Sequence, residues 1–360
     1  MSRVVIVGAS LAGLRCAQAL RTKGFDGTIS LYGDERAQPY DRPPLSKQVL
    51  SGEWEPEKVA LADESTYEKL GLDLRLGERV SSIDDVGEHD HLVVATGARP
   101  RAIDGGITLR TLDDSLALRG RLRDAQRVVV VGAGFIGAEV AAVARTHGKD
   151  VTVLEALPQP LSRGLGEEVG AALGRLHTAK GVTLRTGVGV ASIESDGVHL
   201  ADDSIVPGDL IVVGIGVVPN TEWLEGSGAE LENGVICDEN LAVVGVPNAW
   251  ACGDVALWPH PRHGDIRIEH WTNAVEQGQH VAGCITGDVK PFGTVPFVWS
   301  DQYEHRIQIV GRPNPTDEIR VVHGSLDAPP WAVEHVRDGE VLGVTGVDAV
   351  KVVMPYRRSL

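Results

Sequence analysis

Two stretches of this chain combine residue types and spacing that suit binding of a pyrophosphate. VVIVGASLAG runs from Val4 to Gly13 and VVVVGAGFIGAE from Val128 to Glu139. In each, a β-branched run breaks at a glycine, Gly8 or Gly132, and opens into an Ala-rich stretch with helical spacing. The first glycine makes the tight strand-to-helix turn, the middle position lets backbone approach the phosphates, and the last lets helix and strand pack closely. The helix N-terminus then offers N–H groups and a partial positive charge to the anion. Each fingerprint is followed, 20 or so residues on, by an acid at the end of a second apolar strand: Asp34 or Glu35 after TISLYG, and Glu155 after DVTVL. A chain that holds two dinucleotides passes electrons between them, which reads as a flavoprotein with a nicotinamide site.

The elements that must position these residues follow from the rest of the pattern. Strand and helix signals alternate from residue 1 to about 110, and the same order restarts near Arg127: VVVVG, a helix through VAAVARTHG, DVTVLEA, a helix around Glu167–Leu176, then DLIVVGIG. That is duplicated architecture, and alternating β and α elements mean doubly wound parallel sheets. From about Thr294 the segments VPFVWSDQ, HRIQIVG, IRVVHG, WAVEHV and VLGVTGV predict an antiparallel sheet. The expected fold is α/β: two doubly wound dinucleotide-binding domains with a C-terminal α+β domain. The expected boundaries are an FAD-binding domain over residues 1–111 and 233–293, an NADH-binding domain over 112–232, and a C-terminal interface domain over 294–360.

Composition narrows the classes. With 42% hydrophobic and 23% charged residues the chain is globular, and 360 residues exceed one ordinary core. A formal charge of −16 argues against nucleic acid and anionic lipid as partners. No apolar run approaches the ~20 residues of a membrane span. The strand beginning at Val4 leaves no room for a signal peptide, so the cytoplasm is expected. Cys16, Cys237, Cys252 and Cys284 have neither CxxC nor metal-ligand spacing and suit buried thiols in a reducing compartment. The histidines of HDH (His89–His91) and HPRH (His260–His263) lack a completing ligand set, so no metal is expected.

The two fingerprints occur with PYDRPPLSK (Pro39–Lys47), ATGARPR (Ala95–Arg101), LRTLDD (Leu109–Asp114), GIGVVPNT (Gly214–Thr221), ACGDVA (Ala251–Ala256), EHWTNAVEQG (Glu269–Gly278) and WSDQ (Trp299–Gln302). Together these segments resemble the NADH-dependent, FAD-containing ferredoxin reductases that serve Rieske-type oxygenases and cytochromes P450, the putidaredoxin-reductase type within the glutathione-reductase fold group. The resemblance covers nearly the whole chain. It implies FAD and NADH as cofactors, a [2Fe–2S] ferredoxin as electron acceptor, and a monomer or homodimer. Rubredoxin- and monodehydroascorbate-reductase-like enzymes share most of these motifs. An NADH-sensing flavoprotein of the apoptosis-inducing-factor kind is the alternative from another class.

The same resemblance implies the site residues. Lys47 is expected near flavin N5, presented by the turn at Pro43–Pro44 and paired with Glu139, where a cation stabilises the anionic reduced flavin. Expected FAD contacts are Gly8, Ser10, Leu11, Ala12, Gly13, Asp34 or Glu35, Arg42, Val80, Ala95, Thr96, Gly97, Arg101 (with Arg99 its rival), Gly253, Asp254, Trp271 and Trp299. Expected NADH contacts are Gly132, Gly134, Phe135, Ile136, Gly137, Glu155, Arg163, Gly214, Ile215 and Gly216. Ser10 departs from the family by standing at the middle glycine position. The stretches 80–92 and 188–210 are shorter than the family's usual hairpin connections. The Gln38–Leu50 loop has no cysteine, which excludes the redox disulfide of glutathione-reductase-like members. Candidate charges for docking an acidic ferredoxin are Arg42, His305, Arg306 and Arg312.

Overall fold

The computed structural model describes residues 2–360 and divides them into two compact units. The first holds the described residues up to Asp41, Val59–Arg99 and Val218–Pro296. Its five-stranded sheet is parallel, in the order Ala249–Ala251, His91–Val94, Arg3–Val7, Thr28–Gly33, Leu72–Leu76. Val4, Val5 and Ile6 of the central strand have no exposed surface, as a continuous β-branched run covered on both faces requires. Helices Leu11–Thr22 and Trp271–Ile285 lie side by side on it. Their approach depends on Gly278, where a Cβ would stand 2.4 Å from the carbonyl oxygen of Ala12. A smaller sheet, Leu231–Glu232, Gly234–Ile236, Ala256–His260 and Gly264–Arg267, completes the unit.

The second unit comprises Arg42–Lys58, Pro100–Val217 and Phe297–Leu360. A second parallel sheet runs Leu210–Val213, Arg127–Val131, Asp150–Glu155, Thr183–Thr186. The LRTLDD segment is the start of the helix Leu112–Asp124: Asp114 N–H donates to Thr111 Oγ1 at 3.1 Å, and Asp114 Oδ2 accepts the Thr111 N–H at 2.9 Å. This capping box satisfies N–H groups that a helix start leaves without partners. The short stretch 188–210 still forms three antiparallel strands, whereas 80–92 forms the 3-10 turn Ile83–Val86 and then enters the parallel strand His91–Val94 with no hairpin.

The C-terminal segments form a five-stranded antiparallel sheet in the order Phe297–Gln302, His305–Gly311, Glu340–Val347, Ala328–Arg337, Glu318–Ser325. This sheet shares its core with the helix Ser162–Ala179. Leu165, Val169, Leu173 and Leu176 of the helix pack with Ile307, Ile309, Trp331 and Val347 of the sheet. The architecture is the α/β arrangement expected from the duplicated pattern. No described helix is long and apolar enough to cross a membrane.

Candidate functional site

The two fingerprints fold alike, bond for bond. Gly8 N–H donates to Tyr32 O at 2.8 Å and Gly132 N–H to Leu154 O at 2.7 Å, tying each turn to the end of the neighbouring strand. Ala95 N–H donates to Val7 O and Gly214 N–H to Val131 O, which brings the following motif against the turn from its other side. The first glycine is obligatory in both. Gly8 and Gly132 have φ of +123° and +99°, and a Cβ would fall 2.1 Å from Ala95 O or 2.3 Å from Gly214 O. The middle position differs in kind. Ser10 (φ −122°, ψ −159°) and Gly134 (φ −73°, ψ −178°) are both extended, a conformation open to any residue. A serine therefore keeps the first turn intact, and the space in front of Gly134, whose Cβ would meet nothing nearer than 3.8 Å, is what the glycine preserves.

In the first unit, further motif residues converge on the Gly8 turn. Thr96 Oγ1 donates to Asn220 O at 2.7 Å, and Asn220 donates from its side chain to Thr96 O and from its backbone to Gly97 O, both at 2.9 Å. ATG and the end of GIGVVPNT are thus one structure. Gly253, preceding Asp254, packs on Ala12 and donates its N–H to Gln277 Oε1 at 2.8 Å. Trp271 Nε1 donates to Asp41 Oδ1 at 2.7 Å. Glu35 is half-buried and accepts the Tyr40 hydroxyl, whereas Asp34 is exposed. Val80 is half-buried at the edge of the core. Arg99 is engaged by Glu222 at 2.6 Å and Asn220 at 3.0 Å. Two buried polar atoms beside this loop, Gln277 Nε2 and His270 Nδ1, lack a partner. Burial pushes the His270 imidazole down to about 4 against the opposing charge of Asp254, and pushes the Cys252 thiol up to about 12, which leaves it an inert filler.

In the second unit, Arg101 is exposed and anchored through its N–H to Gly216 O. Glu155 accepts the Ala133 N–H at 2.7 Å and the Leu157 N–H at 2.9 Å. Arg163 is exposed and lines a cavity of about 280 Å³ with Leu157, Ser162, Glu167 and Pro315. Ile136 and Ile215 flank the Gly132 turn and are 45% and 39% exposed, unusual for large apolar side chains. Phe135 packs at the margin of the core shared by the C-terminal sheet. Trp299 stacks on Phe297 with centroids 6.0 Å apart.

The same unit contains the charged pair. Pro43–Ser46 forms a 3-10 turn whose Leu45 carbonyl accepts the buried Ser115 hydroxyl at 2.7 Å. Lys47 follows, and its Nζ lies 2.8 Å from Glu139 Oε2, with side chains only 12% and 3% exposed. Two hydroxyls also serve Glu139: Ser46 donates to Oε2 at 2.5 Å and Ser300 to Oε1 at 2.7 Å. A buried carboxylate so surrounded keeps its charge and holds the ammonium in one place. Arg42 donates to Arg110 O at 2.7 Å. Sequence reasoning missed Ser46, Ser300, Asn220 and Asp41; all four sit inside segments it had singled out, where they read as spacers.

The residues present fit a dinucleotide in each unit: an obligatory glycine turn, a helix N-terminus, an open middle position and a carboxylate at the end of the second strand. That combination defines a class, the two-dinucleotide oxidoreductases. Residues 2–278 match the family model of the pyridine nucleotide-disulphide oxidoreductases, and residues 297–360 match the reductase C-terminal model. The chain is 37% identical to rhodocoxin reductase of Rhodococcus erythropolis, over 99% of this chain and 89% of that protein. It is 37% identical to the ferredoxin–NAD(+) reductase component of the biphenyl dioxygenase system of Paraburkholderia xenovorans, over 97% and 90%. Among solved structures, the covalent putidaredoxin reductase–putidaredoxin complex matches with a TM-score of 0.94 at 33% identity, over 99% of this chain and 92% of that one. The chain belongs to the pyridine nucleotide-disulphide oxidoreductase family.

Proposed function

We propose that this protein carries electrons from NADH through FAD to a ferredoxin of the [2Fe–2S] type, serving an oxygenase or cytochrome P450. The observation that carries the reading is the Lys47–Glu139 pair at the end of a cysteine-free loop. Where disulfide reductases have a thiol relay, this chain offers a fixed cation. Bound FAD supplies the conversion of a hydride into two single electrons, which a nicotinamide cannot hand to a one-electron acceptor itself.

The chain's own residues do the rest. The Gly8 turn, Asp254 and the half-buried Glu35 serve FAD, with Ser10, Leu11, Ala12 and Gly13 at the pyrophosphate and Trp271 held by Asp41. The Gly132 turn and Glu155 serve NADH, and the exposed Ile136 and Ile215 offer apolar surface to the nicotinamide. Lys47 is the charge that favours electron density on the flavin, and Glu139 keeps it charged and in place. We assign residues 1–111 and 233–293 to FAD, 112–232 to NADH and 294–360 to the C-terminal domain. The four free cysteines, all buried, support a reducing compartment, the cytoplasm. The oligomeric state under this reading is monomer or homodimer.

The test is anaerobic reduction of the purified holoprotein by NADH, followed by turnover with a [2Fe–2S] ferredoxin and cytochrome c as final acceptor. Flavin bleaching and ferredoxin-dependent cytochrome reduction are expected. Bleaching without ferredoxin-dependent turnover would leave a two-dinucleotide oxidoreductase with another acceptor.

A further inference from the structure

Behind Glu139 runs a chain of buried polar side chains that the Lys47 pair does not itself require. Ser300 Oγ, which donates to Glu139, accepts from Gln302 Nε2 at 3.1 Å. Gln302 Oε1 stands 2.9 Å from His177 Nε2, and His177 Nδ1 stands 3.0 Å from the Tyr303 hydroxyl. Ser300, Gln302 and His177 are all buried, with at most 4% of their surface exposed.

The direction of every bond is forced. A carboxylate only accepts, so Ser300 must donate to it, and the free lone pair of Ser300 must take the Gln302 amide N–H. The amide oxygen of Gln302 then faces His177, which requires the proton on Nε2 and leaves Nδ1 to accept from Tyr303. Burial holds the His177 imidazole below its usual range, consistent with this neutral tautomer. The far end is clamped as well. Tyr303 sits in the hairpin turn with φ +57°, a conformation rare for an aromatic residue. Its ring packs edge-on against His177, and Lys180, which caps the C-terminus of the same helix, pairs with Glu304 at 2.6 Å.

We propose that Ser300, Gln302 and His177 are positioning residues, a one-way hydrogen-bond chain that fixes the plane of the Glu139 carboxylate and thereby the place of the Lys47 ammonium. Without it, Oε1 of Glu139 loses the Ser300 hydroxyl and the carboxylate is free to swing with the lysine. The consequence for the flavin rests on the role of Lys47 proposed above. Chains of this kind act as units, so a change at the remote end is felt at the near one.

The experiment compares FAD midpoint potentials in the holoenzyme for wild type, Lys47→Ala, Ser300→Ala, Gln302→Leu, His177→Phe and His177→Gln. The phenylalanine keeps the ring volume and removes the donor; the glutamine restores an N–H where Nε2 stood. Lys47→Ala is expected to lower the potential. Ser300→Ala, Gln302→Leu and His177→Phe are expected to lower it by part of that amount, and His177→Gln to return it to the wild-type value, a recovery that packing alone does not produce. Wild-type potentials in Ser300→Ala and His177→Phe, beside a lowered one in Lys47→Ala, overturn the chain and leave the Lys47 role standing. A wild-type potential in Lys47→Ala instead removes the Lys47 role, and a double-mutant cycle of His177→Phe with Glu139→Gln in guanidinium unfolding of the holoenzyme then decides. These two residues do not touch, so non-additive losses support the chain and additive losses overturn it.

Discussion

Glu155 and Ala133 are joined by a 2.7 Å hydrogen bond from the backbone N–H of one to the carboxylate of the other. The acid that ends the second strand is therefore fixed against the Gly132 turn. A carboxylate there accepts hydrogen bonds from ribose hydroxyls and repels a 2′-phosphate. Arg163, the next cation along the chain, shares its cavity with Glu167. NADH is expected over NADPH by kcat/KM, and Glu155→Ala is expected to narrow the ratio about 10-fold or more, the worth of a charged hydrogen bond. An unchanged ratio in that variant would show that another residue reads the ribose.

Gly8 and Ser10 occupy one turn under opposite constraints, which separates two substitutions. Gly8→Ala places a methyl 2.1 Å from Ala95 O at φ +123°, and is expected to cost at least ~2 kcal/mol and release FAD. Ser10→Gly relieves no strain and is expected to keep the flavin. The ratio of flavin to protein absorbance after gel filtration, with Tm, checks both; retention of full flavin by Gly8→Ala would contradict the geometry.

Glu139 has three donors, Lys47 has one acceptor, and their substitutions should differ accordingly. Lys47→Ala leaves a carboxylate still bonded by two hydroxyls. Glu139→Ala leaves a buried ammonium and two hydroxyls without their acceptor, and is expected to cost ~3–5 kcal/mol. In stopped-flow reduction by NADH, both variants are expected to slow flavin reduction, with Lys47→Ala the slower among variants that retain FAD. Wild-type rates in both would reduce the proline loop to packing.

A pH dependence follows from His335, which is buried in the C-terminal sheet with Nε2 against Thr345 Oγ1 at 2.8 Å. Burial lowers its imidazole from 6.5 to about 4. The unfolded chain therefore binds a proton that the folded chain refuses, so stability is complete above pH 6.5 and falls as pH drops from there toward 4. The loss is ~3 kcal/mol across that window. His335→Gln is expected to flatten Tm between pH 7 and pH 5 relative to wild type; an equal slope in both would place the titration elsewhere.

The charges suggested for docking are largely consumed within the molecule. Arg306 is bonded to both carboxylate oxygens of Asp301, at 2.7 and 3.0 Å, and His305 to Asp348 at 2.6 Å. Such pairs present little net field. Arg306→Ala is expected to change the ferredoxin KM by less than about twofold. A tenfold rise would show that the partner breaks the Asp301 pair on binding.

Much of this was legible in the sequence because glycine spacing and β-branched runs report backbone geometry directly. The Gly8 and Gly132 turns and the parallel sheets follow from motifs of fixed local shape, whereas the Lys47–Glu139 pairing, 92 residues apart, was legible only through the family resemblance. Ser46 and Ser300 were not legible as partners of Glu139. They come from segments 93 and 161 residues away from it, and a serine has no periodicity to announce a long-range bond. The contacts of Arg99 with Asn220 and Glu222 were likewise not legible, because they form only after the chain has folded back.

The common core of the C-terminal sheet and the helix Ser162–Ala179 bears on how this protein can be recombined. The two family models meet in the gap between residues 278 and 297, which invites an exchange of everything beyond. A graft cut there would set a foreign sheet against Leu165, Val169, Leu173 and Leu176, and would replace Ser300, Gln302 and Tyr303 while keeping His177. Chimeras between relatives should therefore carry residues 162–179 and 297–360 as a single inherited piece, although more than a hundred residues of chain lie between them.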